Sequence, residues 1–108
     1  MTVKRYEIYY ADLSPTIGAE IQKTRPIVIV SRSTMNEHLD TVVACPLTTK
    51  LHRTWRSRIQ IRCAGKNAEI AVDQIRTISK QRLRNKIDEL SIDDASRLRD
   101  LITEMYGH

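Results

Sequence analysis

Arg25 and Thr48 carry the residue types best suited to holding a phosphate, and the sequence around each says where it sits. Arg25 closes a polar loop bearing Gly18, Glu20, Gln22, Lys23 and Thr24, and is followed by Pro26 and the run Ile27-Val28-Ile29-Val30. The residue before a proline is pushed toward extended geometry, and such an apolar run reads as a strand buried on both faces. The guanidinium is therefore held at the lip of a strand. If that run pairs antiparallel with residues 41–45, with Ile27 facing Cys45 and Val30 facing Val42, the same register sets Thr24 against Thr48 and Arg25 against Leu47. Arg25 and Thr48 then meet at one end of the sheet. Arginine offers a planar fork of donors to a phosphate, and a threonine hydroxyl can donate to a second oxygen, so the pair forms an anion clamp. Taken singly, the arginine reads as a solvated loop charge and the threonine as a turn-capping hydroxyl. Their convergence is what suggests chemistry.

Thr49, Lys50, Arg53, Arg56 and Arg58 lie beside this corner around Trp55, with His52 among them. Cations interleaved with an exposed aromatic suit single-stranded nucleic acid, whose backbone needs neutralising and whose bases stack on rings. The competing reading is a basic loop whose Trp55 folds back onto the core. A second basic run, Arg76, Lys80, Arg82, Arg84 and Lys86, reads as a solvated connector.

The elements that must position these groups are short. The 108 residues are expected to form one domain, spanning 1–108. Residues 5–12 alternate loosely and read as a half-buried strand, with Tyr6, Ile8 and Tyr10 on one face. The long polar stretch at 14–24 is a loop. Further strands are expected at Ile27–Val30, at Thr41–Cys45 closed by Pro46, and at Arg58–Cys63, where Ile59, Ile61 and Cys63 face inward and Arg58, Gln60 and Arg62 outward. A turn at Gly65-Lys66-Asn67 leads into a fifth strand from Glu69 to Ile75, and one helical turn is expected near Ser33–His38. The chain ends in a helix opened by Ser91 with Asp94 three residues on, whose stripe Ile92, Ala95, Leu98, Leu101 or Ile102, and Met105 is expected to be core. The fold class is mainly β with a C-terminal helix, a small antiparallel barrel.

Composition narrows the partners. Eighteen Lys and Arg against thirteen acids give a net charge of +5, which favours a polyanion. No apolar run approaches a membrane span, and Met1-Thr2-Val3-Lys4-Arg5 leads straight into a strand with no signal-peptide pattern. Cys45 and Cys63 sit in apolar strand patterns without metal-ligand spacing, so they read as core residues of a reducing compartment. The histidines are scattered and the glycines isolated, so no metal or nucleotide cofactor is expected.

Four segments carry a resemblance that spans nearly the whole chain. They are Asp12 to Glu20, Lys23-Thr24-Arg25-Pro26, Ala44-Cys45-Pro46-Leu47-Thr48, and Val72-Asp73-Gln74-Ile75-Arg76-Thr77-Ile78. In this order they resemble the MazF/PemK toxins of bacterial toxin–antitoxin pairs. The resemblance implies a CcdB-like, SH3-like barrel that dimerises in the bacterial cytoplasm, cleaves single-stranded mRNA at short sequences without a metal, and is silenced by a MazE/PemI-like antitoxin. It assigns catalysis to Arg25 and Thr48 and lines the site with Glu20, Asp73, Gln74 and Arg76. Together with the basic residues above, the expected RNA-binding set is Glu20, Gln22, Lys23, Thr49, Lys50, Arg53, Trp55, Arg56, Asp73, Gln74 and Arg76. The Kid/PemK branch has a histidine and an arginine where this chain has Ala19 and Ala71, so the mechanism is expected to lean on Arg25 and Thr48.

Attack of a ribose 2′-hydroxyl on the adjacent phosphate also needs a proton acceptor. Arginine hardly deprotonates, and Glu20, Asp73 and His52 remain open for that role. Two rival readings share the residues: a CcdB-like poison of DNA gyrase, against which the ending Glu104-Met105-Tyr106-Gly107-His108 lacks a tryptophan tail, and a non-catalytic nucleic-acid-binding module.

Overall fold

The computed structural model describes residues 2–13 and 24–107. Seven antiparallel strands make a strongly curved sheet: β1 (Glu7–Asp12), β2 (Thr24–Ile29), β3 (Thr41–Thr48), β4 (Arg58–Cys63), β5 (Lys66–Ala71), β6 (Arg76–Ser79) and β7 (Leu83–Glu89). Helix α1 (Ser33–His38) joins β2 to β3, and α2 (Ile92–Tyr106) ends the chain. The strands run in the order β4-β5-β3-β2-β1-β7, with β6 paired to β3. The architecture is the mainly β half-barrel with a C-terminal helix that the sequence implied.

β3 is the hub. One edge pairs with β2, while the other is shared, its first half with β6 through Val42↔Ile78 and its last residues with β5 through Leu47↔Ile70 and Thr48↔Glu69. Two cores result, one on each face. Val28 and Val30 join Cys45, Leu47, Ile59, Ile70 and Leu98, whereas Ile27 and Ile29 join Tyr9, Val42, Ala44, Ile78 and Leu83. The uninterrupted apolar run of β2 is thus buried on both faces, because alternate side chains serve different cores.

Several expectations are corrected. The β2–β3 register is one residue off: Ile27 pairs with Pro46, Val28 with Cys45 and Ile29 with Ala44. Pro46, without an N–H, still sits inside β3 rather than closing it. The first strand begins at Glu7, since Tyr6 has φ 72° in the preceding turn, and it is buried on both faces except at Tyr10. The β4–β5 turn is Ala64-Gly65, both at positive φ, with Cys63 paired to Lys66, so Lys66 and Asn67 belong to the strand. β5 ends at Ala71, and Val72–Gln74 form a 3-10 turn whose Val72 N–H donates to the Ser57 carbonyl. The second basic run is no connector: it forms β6, a short 3-10 turn and β7. Only Ile78 and Leu83 of that stretch are buried, too few for a strand period to stand out among the charges.

Helix α2 opens as expected, with the Ser91 hydroxyl accepting the Asp94 N–H at 3.1 Å. It docks through Ala95 and Leu98, and the Tyr106 hydroxyl donates to the Val72 carbonyl at 3.0 Å. Ile92 departs from the expected core stripe, being 89% exposed. It occupies the first turn, before the helix reaches the sheet. Cys45 and Cys63 are buried and free.

Candidate active site

The sheet brings Arg25 and Thr48 together. The observed register, continued from Ile27 toward the start of β2, sets Arg25 across from Thr48 rather than Leu47. Both line a cleft of about 180 Å³ together with Lys50, His52, Arg58 and Gln74. Arg25 also borders two adjoining openings, one of about 460 Å³ with Leu13, Gln74 and Arg76, and one of about 540 Å³ with Tyr10, Thr48, Thr49 and Lys66. It therefore stands where three depressions meet. The Thr48 hydroxyl accepts the Lys50 N–H at 3.0 Å, so the turn-capping role is real and leaves the hydroxyl proton free to donate.

The loop from Thr49 to Ser57 is held by a buried carboxylate. Glu69 of β5 is fully buried, and its Oε1 accepts the His52 backbone N–H at 2.6 Å and the Gln60 Nε2 at 2.6 Å. Its Oε2 accepts Arg58 Nη1 at 2.6 Å, while Arg58 Nε donates to Asp73 Oδ1 at 2.8 Å. Burial alone raises the Glu69 carboxyl, but hydrogen bonds from Gln60, His52 and Arg58 outweigh it and hold the group below its ordinary value. Asp73 is held low in the same way, burial being outweighed chiefly by Arg58. Burial, with a smaller push from Asp73, takes the Cys45 thiol up to about 12, so no thiolate is on hand.

Trp55 is neither free nor folded into the core. Its ring stacks on His52 with centroids 3.9 Å apart and planes 13° apart, and the Arg58 guanidinium lies 4.6 Å from its centroid. The indole is nonetheless 48% exposed beside these two partners. Trp55 N–H donates to the His52 carbonyl and Arg58 N–H to the Trp55 carbonyl, so consecutive turns fix the stack.

The other expected residues divide by position. Thr49, Lys50, Gln74 and Arg76 border the cleft or its adjoining openings, and Asp73 reaches it through Arg58. Arg53 lines a separate groove of about 490 Å³ with Gln60, Arg62 and Asp94, which shares no lining residue with the cleft. Arg56 pairs with Glu104 of α2 at 2.8 Å, both side chains being exposed. Glu20, Gln22 and Lys23 lie outside the described residues. Two groups went unread. Arg58 was counted as an outward loop cation, yet only 5% of its side chain is exposed, and Glu69 was seen merely as the start of a strand. With the turn at Ala64-Gly65, Gln60 stands opposite Glu69 and Arg58 follows on the same face; the expected turn at Gly65-Lys66-Asn67 shifts the register and hides this cluster.

The chain has relatives among known proteins. Residues 4–106 match the family described as PemK-like, MazF-like toxin of type II toxin-antitoxin systems. The endoribonuclease EndoA of Bacillus subtilis is 34% identical over 95 residues, covering 83% of this chain and 82% of that protein. Among solved structures, a mycobacterial endoribonuclease in complex with its cognate antitoxin superposes with a TM-score of 0.82 at 23% identity, over 97% of this chain and 95% of its own. A MazE–MazF structure from Deinococcus radiodurans gives 0.85 at 16% identity, over 99% and 98%. These last two share the fold.

Proposed function

We propose, from the premise that the chain belongs to the PemK-like, MazF-like toxin family, that it is an endoribonuclease cutting single-stranded RNA at short sequences. The observation that carries the reading is the cleft itself: Arg25 and Thr48 line one small cavity together with Lys50 and with His52, whose ring stacks on Trp55.

In this reading the Arg25 fork and the Thr48 hydroxyl grip the two non-bridging oxygens of the scissile phosphate. As the 2′-oxygen attacks phosphorus, charge on those oxygens grows, and donors fixed in place stabilise it without reorganising. The P–O5′ bond breaks, leaving a 2′,3′-cyclic phosphate and a free 5′-hydroxyl. The positive charge comes from side chains, so the step needs no metal. Lys50 and Arg76 neutralise neighbouring phosphates, and the exposed part of Trp55 meets a base.

An antitoxin is the second expected partner. A mycobacterial endoribonuclease in complex with its cognate antitoxin shares this fold, and a carboxylate-rich peptide competing for the cleft suits the net charge of +5. The proposed assembly is a homodimer and the proposed location the bacterial cytoplasm; among the described residues no helix is long and apolar enough to cross a membrane.

The test is an RNA oligonucleotide incubated in excess EDTA. Expected products carry a 2′,3′-cyclic phosphate and a 5′-hydroxyl, and one deoxyribose at the cut site abolishes cleavage while binding persists. Cleavage of the deoxy-substituted strand at that position, or strict dependence on added magnesium, overturns the mechanism. Arrest of purified gyrase with no RNA cut would favour the CcdB-like rival.

A further inference from the structure

Arg25 and Thr48 bring no ready proton acceptor, and among the described residues the groups of the right kind are His52, which lines the cleft, and Asp73 and Glu69, which lie behind it on Arg58. Asp73 is occupied: its Oδ1 takes Arg58 Nε at 2.8 Å, and a carboxylate stabilised as the anion is a weak base. Glu69 is fully buried, with three donors on its two oxygens. His52 differs from both. It lines the cleft beside Arg25 and Thr48, its backbone is pinned by Glu69, and its ring orientation is set by the Trp55 stack. Stacking occupies a ring face and leaves the in-plane nitrogens free to take a proton.

We propose that His52 is the general base of this site, with Glu69 and Trp55 as its positioning residues. The inference rests on the endoribonuclease reading above. In the step, a neutral imidazole nitrogen accepts the 2′-hydroxyl proton as the 2′-oxygen bonds to phosphorus. The P–O5′ bond breaks with its electron pair on the 5′-oxygen, which takes a proton from water in the open cleft. The imidazolium then returns its proton to solvent, closing the cycle.

The charged groups around the ring are Arg25 from β2, Lys50 from its own loop, Arg58 from β4, Glu69 from β5 and Asp73 just after it. Glu69 and Asp73 are both held below the ordinary carboxylate value by their hydrogen bonds, which makes each a poorer proton acceptor. A base must be unprotonated to act, so kcat is expected to show an acid limb that depends on His52.

The experiment compares wild-type protein with His52→Ala and His52→Gln on an RNA oligonucleotide that the wild type cuts, and measures binding with its deoxy-substituted counterpart. Expected is a loss in kcat of about 100-fold, binding within about threefold of wild type, disappearance of the acid limb of the pH profile, and partial recovery on adding imidazole to the alanine variant. A loss below about tenfold, or an acid limb that survives, overturns the assignment and passes the role to another group such as Glu20. A loss in rate matched by an equal loss in binding also overturns it, leaving His52 as part of the base platform. Wild-type protein that cuts no RNA overturns the endoribonuclease reading and this inference with it, whereas wild-type cleavage unaffected by the substitutions sinks the inference alone.

Discussion

Two carboxylates are sequestered in this sheet, and they do different work. Glu69 reaches beyond its own hairpin: besides Arg58 and Gln60 of the paired β4 it takes the His52 N–H, and so holds the loop that carries Trp55. Glu7 joins parts already paired. Its Oε1 accepts the Lys4 N–H at 2.7 Å and the Tyr9 hydroxyl at 2.9 Å, and its Oε2 meets Lys86 of the adjacent β7 at 2.9 Å. The partners differ as well. Arg58 is 5% exposed and held by two carboxylates, whereas Lys86 is 41% exposed and screened by solvent. A buried anion that takes a donor from a functional loop helps set the geometry of a site, while one whose donors lie on its own segment and the adjacent strand reinforces a ladder that would form anyway.

The widest separation of the two regions is expected from Arg25→Ala. Arg25 is exposed and fills no core, so cleavage should fall by about 100-fold or more while the thermal midpoint stays put. Arg25→Lys should recover little, lacking the fork. Near-normal cleavage by the alanine variant, with an unchanged midpoint, would remove Arg25 from the site.

Glu69→Gln should damage both properties at once. It leaves Arg58 buried with one carboxylate fewer, a loss of about 3 kcal/mol, and it loosens the loop that presents His52. Cleavage is expected to fall even at temperatures where the variant remains folded. Circular dichroism and cleavage rates measured together at 15 °C decide it; a folded variant with full activity would show that the loop needs no anchor. Glu69 and Asp73 both have folded-state values below their unfolded ones, so the unfolded chain binds more protons as the pH drops. The stability they supply is present above the ordinary carboxylate range, about pH 5, and is lost as the pH falls through the folded values. A thermal midpoint flat above pH 5.5 and falling below about 4.5 is expected, with the fall shallower in Glu69→Gln.

The mildest change is expected from Glu7→Gln, which keeps the shape and weakens hydrogen bonds in an established ladder. A loss of about 1 kcal/mol with no change in cleavage rate fits the comparison. A loss of cleavage comparable to that of Glu69→Gln would erase the distinction between the two carboxylates.

Much of this molecule was legible before folding. The run Ile27–Val30 announced a strand buried on both faces, and Ser91 with Asp94 announced the start of α2. These are local facts, written in the spacing of a few neighbouring residues, and local sterics and hydrogen bonds settle them. What the chain alone left undecided depended on contacts between distant segments. The register that sets Arg25 against Thr48 comes from packing on both faces of β2, which no isolated run can specify. β6 and β7 hid among charges because a single buried side chain in each suffices once β3 and β1 supply the partner strands. Arg58 and Glu69 looked like an ordinary surface cation and a strand residue because a charge becomes buried only when its counterion arrives from elsewhere in the chain. Desolvation and pairing are properties of the assembled sheet, and that is why only the tertiary structure could turn two unremarked charges into the anchor of the site.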